Sequence, residues 1–136
     1  MIFVDTSHLL ALAMPVDALH KSAAAWSEAL PGPFLTTEYV LLEFVNALSS
    51  PSHRARAHSV LSGILASPGI QVVHSSPELF RSGVALHAQR PDKSWSLTDC
   101  VSFVVMRTAN ISEALTYDQH FEQAGFRALL RYPPSP

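Results

Sequence analysis

The sequence has 136 residues, 48% of them hydrophobic and 15% charged, a composition typical of a folded domain and not of a disordered chain. Its formal net charge of −2 provides no general basic field, which argues against a protein that coats nucleic acid but leaves open an enzyme that handles it at one small site. The single cysteine, Cys100, excludes an internal disulfide and a cysteine-rich zinc site.

Short apolar segments alternate with helix signals along the chain. The first strand is predicted at Ile2–Val4, and the polar segment Asp5-Thr6-Ser7 leads from it into a helix that Pro15 stops. Helices are predicted at 8–13, 17–30, 37–48, 54–66, 77–89, from Ser96 to about 106, and at 118–124. Later strands are predicted at 34–36, 70–73, 113–116 and 126–130. Residues 132–136 carry neither signal and are expected to form a flexible tail.

The order of these elements predicts both a fold class and the place of a site. No repeat or linker divides the chain, so residues 1–136 are expected to form one domain with a mainly parallel sheet covered by helices on both faces. Ligands of such folds bind beyond the carboxyl ends of the strands, where Asp5 and Asp118 lie. Without a signal peptide or a bilayer-spanning apolar run, a cytoplasmic protein with no membrane contact is expected.

Three aspartates have an ordinary structural explanation as well as a chemical one. Asp5 and Asp118 each precede a predicted helix, so either could simply cap it. Ser96 and Asp99 have the spacing of a capping box, although Glu or Gln is the usual partner of the serine. Taken residue by residue, both explanations stay open.

Glu43 is harder to explain as a structural residue. It lies within residues 39–45, a helical segment that is apolar nearly all round and is therefore expected to be buried. No Lys or Arg lies within one turn, and a buried carboxylate is costly unless it is paired or bound to a metal. Asn46, three residues on, shares its face and could orient it or a water.

Together the acids indicate a metal site. Four carboxylates gathered in one place would repel one another, and a divalent cation removes that penalty. Oxygen ligands suit Mg²⁺ or Mn²⁺ better than zinc, and the scattered histidines form no HExxH motif. The signatures of serine hydrolases, P-loop proteins and dinucleotide-binding proteins are absent, which leaves metal-dependent chemistry on a phosphate ester.

The motifs, in their order and spacing, resemble those of the PIN domain, and more narrowly those of VapC-type toxins of type II toxin–antitoxin pairs. The segments that carry the resemblance are Val4-Asp5-Thr6-Ser7, Glu43-x-x-Asn46, residues 96–103, and Thr116-Tyr117-Asp118-x-His120-Phe121. The resemblance covers essentially the whole chain. It implies a three-layer α/β/α sandwich and a Mg²⁺- or Mn²⁺-dependent endoribonuclease that hydrolyses phosphodiester bonds in single-stranded regions of RNA. It also implies a homodimer and a cognate antitoxin protein that covers the acidic pocket.

The resemblance assigns roles to particular residues. The catalytic acids that it implies are Asp5, Glu43, Asp99 and Asp118. Asp5 and Asp99 would be the direct metal ligands, and the other two acids would complete the site. The side chains implied to orient this shell are Thr6, Asn46 and Thr116.

The sequence gives only weak indications of which residues contact RNA. The basic residues that could make them are Arg54, Arg56, Arg90 and Lys93, and each could equally be ordinary solvated surface. Trp95 could stack on a base, although core or groove packing is the favoured interpretation, and Asp92 is interpreted as a solvated charge. Two other functions stay open: a non-catalytic PIN-like binding module, and a metal-dependent nuclease or phosphatase acting on other phosphate esters.

Overall fold

The computed structural model describes residues 1–135, so Pro136, the last residue of the predicted tail, lies outside it. The strands in that range are β1 (Ile2–Val4), β2 (Phe34–Thr37), β3 (Ile70–Val73), β4 (Glu113–Leu115) and β5 (Arg127–Ala128). The α-helices are α1 (Thr6–Ala13), α2 (His20–Ala29), α3 (Glu38–Ala47), α4 (Arg54–Ala66), α5 (Pro77–Gln89), α6 (Leu97–Thr108) and α7 (Gln119–Gln123). A 3₁₀ turn at Leu129–Arg131 follows β5.

The five strands of this range form one parallel sheet in the order β3-β2-β1-β4-β5. The first strand is central, with Ile2 opposite Phe34 on one side and Val4 opposite Leu115 on the other. The predicted parallel sheet is therefore confirmed. Strands β2 and β3 extend it from one side of β1, and β4 and β5 extend it from the other side, so the strand order changes direction at β1. Such a switch point leaves a crevice beyond the carboxyl ends of the central strands.

Helices pack against both faces of the sheet, which gives three layers. On one face, an apolar cavity of about 180 Å³ lies between sheet residues such as Val4 and Leu115 and the helices α1, α2 and α4. On the other face, Phe3 packs against Phe121 of α7, and the rings of Phe121 and Phe103 of α6 meet edge to face at 5.0 Å. These aromatic side chains are fully buried, so α6 and α7 are fixed against the sheet by core packing.

Two boundaries at the start of the chain differ from the predicted ones. The first helix begins at Thr6 instead of residue 8, and α2 begins at His20 instead of residue 17. The late start of α2 has a local cause, because the Asp17 carboxylate accepts a hydrogen bond from the backbone N–H of Leu19 at 2.8 Å and stabilises a turn.

The C-terminal segment differs more. The strand predicted at 126–130 is confined to Arg127–Ala128, because the next residues turn and the backbone N–H of Leu130 donates to the Thr116 carbonyl at 3.0 Å. Tyr132, the first residue of the predicted tail, donates its hydroxyl to Glu122 at 2.7 Å, and its backbone carbonyl accepts the Trp26 indole N–H at 2.9 Å. Within residues 1–135, no helix is long and apolar enough to cross a bilayer.

Candidate functional site

The centre of the site follows from the pairing of β1 with β4. Val4 and Leu115 are register partners, so the residues after them, Asp5 and Thr116, emerge side by side. The Thr116 hydroxyl donates to Asp5 Oδ2 at 2.8 Å and accepts the backbone N–H of Asp118 at 3.0 Å. This one buried hydroxyl therefore binds the Asp5 carboxylate after β1 and the Asp118 backbone just beyond β4.

Asp5 is not a side-chain cap. It occupies the N-cap position of α1, but its carboxylate makes no capping hydrogen bond. Burial, more than any other factor, raises the pKa of Asp5 to about 7; the hydrogen bond from Thr116 and the nearby Thr6 backbone N–H lower it, and the charges of Asp99 and Glu43 raise it further. The pocket therefore disfavours the ionised form of Asp5 when no cation is bound.

Asp99 caps its helix and also faces the pocket. The capping box is formed: the backbone N–H of Asp99 donates to Ser96 Oγ at 3.0 Å, and the backbone N–H of Ser96 donates to Asp99 Oδ2 at 3.1 Å. The side chain is nonetheless buried at the pocket, with His120 Nδ1 donating to its Oδ2 at 3.0 Å. The helix start thus holds this carboxylate in place instead of competing for it.

His120 joins Asp99 to Asp118. Asp118 caps α7 by accepting the backbone N–H of His120 at 2.8 Å, and its Oδ1 also lies 3.3 Å from His120 Nδ1. One ligand atom from each of Asp99, Asp118 and His120 lies within 4.8 Å of the others, a spacing that could hold a metal ion. His120 was not among the predicted site residues; its only sequence signal is its place two residues after Asp118.

Glu43 and Asn46 lie on a helix that is not buried all round, so that expectation is wrong. Because α3 is covered on one side only, Leu42 is 62% exposed, Glu43 is partly exposed and Asn46 is exposed. The charge of Glu43 still raises the pKa of Asp5, so this carboxylate acts on the same pocket. Its partial exposure also removes the argument that burial alone requires a metal at Glu43.

The hydroxyl next to Asp5 that joins the network is Ser7, not Thr6. The Thr6 hydroxyl is buried and has no hydrogen-bond partner among residues 1–135. Ser7 Oγ lies 3.4 Å from Asp5 Oδ2 and 3.1 Å from Thr116 Oγ1, and it accepts the backbone N–H of Tyr117 at 3.2 Å. Ser7 belongs to the first PIN-like motif, Val4-Asp5-Thr6-Ser7, but no role is predicted for it.

The basic residues on α4 make contacts within the protein. Arg54 is exposed and donates to the carbonyl of Ser49 at 2.9 Å. Arg56 donates to the carbonyl of Ala13 at 3.0 Å, which ties α4 to the end of α1. Both side chains therefore have a structural role, and their contact with RNA stays a prediction.

Arg90, in the loop before α6, also makes contacts within the protein. Arg90 forms a two-point ion pair with Asp92, at 3.0 and 2.9 Å, which holds the pKa of Asp92 at about 2. The Arg90 guanidinium lies 5.1 Å from the Trp95 ring centre, while Lys93 is only partly exposed. Trp95 is 4% exposed and donates its indole N–H to Gln123, so the interpretation as a packing residue is favoured over base stacking.

The donor chemistry of the pocket fits a hard divalent cation. The carboxylates of Asp99 and Asp118 meet at His120, and Asp5 is joined to the Asp118 backbone through the Thr116 hydroxyl. The charges of Asp99 and Glu43 act on Asp5, so all four acids belong to one negatively charged pocket. Oxygen ligands of this kind suit Mg²⁺ or Mn²⁺. Burial chiefly, and to a lesser extent the charges of Asp99 and Glu43, raises the pKa of Asp5, so a bound cation would favour its ionised form.

Comparison with known proteins gives consistent matches. The family model of the PIN domain matches residues 2–127. The 23S rRNA-specific endonuclease VapC20 of Mycobacterium tuberculosis is 32% identical over 127 residues, covering 93% of this chain and 95% of the relative. The crystal structure of VapC20, described as a sarcin–ricin loop cleaving toxin, matches with a TM-score of 0.86 at 29% identity, over 93% of this chain and 96% of that one. The structure of FitAcB from Neisseria gonorrhoeae matches at a TM-score of 0.66 and 15% identity, over 94% and 95% of the two chains, and supports the fold alone.

Proposed function

Since this chain belongs to the PIN-domain family and, within it, to the VapC-type toxins, we propose that it is an endoribonuclease toxin that uses Mg²⁺ or Mn²⁺. The observation that carries the proposal is the pairing of Asp99 and Asp118 at His120, with Asp5 joined to them through Thr116, beyond the carboxyl ends of β1 and β4. Carboxylates of this kind can hold a cation that assists hydrolysis of a phosphodiester by activating water and stabilising the leaving oxygen.

Within this proposal each residue has a defined task. Asp5 and Asp99 bind the cation directly, and Glu43 and Asp118 complete the site or hold its waters. The chemistry supplied by the bound cation is activation of water and stabilisation of the leaving oxygen. Thr116 orients Asp5 by donating to Oδ2, and the Ser96 backbone N–H orients Asp99 in the same way. Both carboxylates are therefore held in position before the substrate binds.

A cleavage assay tests this assignment. Purified protein is incubated with a panel of RNAs in MgCl₂, MnCl₂ or EDTA, and products are followed by gel electrophoresis. Cleavage with either metal, its loss in EDTA, and its loss in Asp5→Asn and Asp99→Asn support the proposal. Asp92→Asn is the matched control, because Asp92 is exposed and paired with Arg90 instead of the pocket. Cleavage that survives EDTA, or that is equal in all three variants, contradicts it.

The proposed substrate is a loop of the large ribosomal RNA. The relative VapC20 is named a 23S rRNA-specific endonuclease, and its structure is described as that of a sarcin–ricin loop cleaving toxin. We expect one break in that loop when intact ribosomes are treated, mapped by primer extension. Breaks at other places only, with cleavage still dependent on the metal, contradict this substrate but leave the endoribonuclease proposal standing.

The proposed partners are a cognate antitoxin and a second copy of the chain. An antitoxin segment with an arginine could pair with the carboxylates of the pocket, and co-expression with the product of a neighbouring short reading frame tests for an inactive complex. For the dimer, Leu42 of α3 and Leu65 of α4 are each 62% exposed beside one groove. Light scattering should then show a dimer that Leu42→Glu dissociates and that Val16→Glu, at an exposed loop residue, does not.

A further inference from the structure

An exposed aromatic side chain and an arginine stack beside the carboxylate pocket. Tyr117 lies between Thr116 and Asp118 in sequence, and its side chain is 44% exposed. The guanidinium carbon of Arg131 lies 4.5 Å from the centre of the Tyr117 ring, within the range of a cation–π contact. Arg131 is also exposed, and among residues 1–135 no carboxylate lies within ion-pairing distance of it. Both groups are therefore available to a ligand.

Backbone hydrogen bonds fix this pair relative to the acids. The N–H of Tyr117 donates to Ser7 Oγ, which contacts Asp5 and Thr116. The carbonyl of Thr116 accepts the N–H of Leu130, so the 3₁₀ turn that carries Arg131 lies beside the end of β4. The pair is thus attached to the rim of the pocket from two separate parts of the chain.

Electrostatic repulsion opposes the approach of a nucleic acid to this pocket. Its phosphates are repelled by the acids, so a cationic group at the rim favours binding. An aromatic ring beside that cation can stack on any base without reading its sequence. The pair of Arg90 and Trp95 does not offer this combination, because Trp95 is buried and Arg90 is neutralised by Asp92.

We propose that Tyr117 and Arg131 form a nucleotide subsite that stacks one base of a single-stranded RNA and binds the adjoining phosphate at the entrance to the carboxylate pocket. This inference rests on the proposed endoribonuclease function. It adds a substrate-binding role for two residues that are not among the four implied catalytic acids. Arg131 then makes the RNA contact that the sequence suggested for other basic residues.

Binding to RNA is measured in an Asp99→Asn background, where cleavage is blocked. A fluorescein-labelled single-stranded RNA gives the affinity, and a second RNA with one 2-aminopurine reports stacking by quenching. Tyr117→Ala should weaken binding roughly 5- to 100-fold and abolish the quenching, while Tyr117→Phe retains both, since the ring is what stacks. Arg131→Gln should weaken binding and reduce the slope of log affinity against log salt by about 0.7, the value for one phosphate of a single strand.

The chain provides a matched control. Arg127 stacks on Tyr132 at 4.7 Å, and that pair contacts Glu113 and Glu122 instead of the Ser7–Thr116 network. Arg127→Gln should therefore leave the affinity for RNA close to that of the parent. Equal affinity in the parent, Tyr117→Ala and Arg131→Gln overturns the subsite while the cleavage assay still supports the enzyme. If the Asp99→Asn parent does not bind RNA and the protein with Asp99 intact does not cleave it, both proposals are overturned.

Discussion

Asp5 shows how burial and neighbouring charge act on one carboxylate. Its pKa is raised from 3.8 to about 7, chiefly by burial, so without a cation the folded protein keeps a proton that the unfolded chain loses near pH 4. The stability of the cation-free protein should therefore fall as the pH rises from about 4 to about 7. A cation bound to the ionised form opposes this loss, which couples folding to metal binding.

Replacing the Asp5 carboxylate should remove both the loss of stability at higher pH and the cleavage activity. We expect Asp5→Asn to stabilise the cation-free protein at pH 8 by up to about 4 kcal/mol, since one pKa unit is worth about 1.4 kcal/mol, and to abolish RNA cleavage. Urea unfolding in EDTA from pH 4 to pH 8 measures the difference. Asp92→Asn, at an exposed acid, should show no such gain. A constant difference between Asp5→Asn and the parent across this range contradicts the prediction.

His120 should affect metal binding by positioning the carboxylates of Asp99 and Asp118. Its Nδ1 lies 3.0 Å from Asp99 Oδ2 and 3.3 Å from Asp118 Oδ1, so His120→Ala removes the group that positions both. We expect His120→Ala to weaken Mn²⁺ binding roughly 10- to 100-fold, and His120→Asn, which keeps a donor near Nδ1, to recover part of the loss. Isothermal titration measures the affinity. His74→Ala is the control, since His74 is exposed and contacts Glu38 instead of Asp99 or Asp118. An affinity unchanged in His120→Ala counts against this role.

At the level of elements, two helices open with the same serine cap but differ in what the cap supports. Ser76 Oγ accepts the N–H of Leu79 at the start of α5, and Ser96 Oγ accepts the N–H of Asp99 at the start of α6. Ser76→Ala and Ser96→Ala should each lower stability by about 1 kcal/mol, measured by urea unfolding. Only Ser96→Ala should also lower the cleavage rate, since it loosens a pocket residue. Equal rates in both variants would show that the cap does not position Asp99.

The packing of α5 on α6 depends on a glycine. A Cβ added at Gly83 would lie 2.5 Å from Val101 Cγ2, whereas one added at Gly63 of α4 meets nothing within 4 Å. Gly83→Ala should therefore destabilise the protein by roughly 1 to 3 kcal/mol, the usual cost of overpacking. Gly63→Ala should stabilise it by up to about 1 kcal/mol through helix propensity. Thermal unfolding compares the two, and equal melting temperatures contradict the assignment of α5–α6 contact to this glycine.

For the whole molecule, elements with local signals were predictable and those set by distant contacts were not. The proline after Ser76 and the spacing of Ser96 to Asp99 are readable within a few residues, and both helices begin where predicted. The segment at 126–130 turns after Ala128 because Leu130 bonds to Thr116, a partner far along the chain. Periodicity contains no information about such a partner.

The site shows the same division. Asp5, Asp99 and Asp118 were identified as candidates because they adjoin strand ends or a helix start, and the parallel sheet brings them together as such a topology should. Ser7 and His120 were missed because hydroxyl and imidazole groups have no spacing rule that marks them as partners of a carboxylate. Burial was the weakest inference: Glu43 was expected to be enclosed, and α3 instead leaves it partly exposed.

His8 gives the whole fold a second dependence on pH, opposite in sign to that of Asp5. It lies at the cavity between the sheet and helices α1, α2 and α4, is 2% exposed, and burial lowers its pKa to about 4. Its Nε2 is hydrogen-bonded to Ser27 Oγ at 3.2 Å, but Nδ1 has no partner among residues 1–135. Below pH 6.5 the unfolded chain gains a proton that folded His8 does not accept, so stability falls as the pH drops towards 4.

His8→Leu should remove this acid-side loss. The gain relative to the parent should grow by up to about 3 kcal/mol between pH 7 and pH 4, following the shift of the pKa. Because Asp5 changes stability in the opposite direction over the same range, both proteins carry Asp5→Asn, which isolates the His8 contribution. His20→Leu is the control, since His20 is only partly buried and its Nδ1 is hydrogen-bonded to the Ala11 carbonyl. Urea unfolding at half-unit intervals of pH measures the curves, and parallel curves for His8→Leu and its parent would show that His8 is protonated inside the fold without cost.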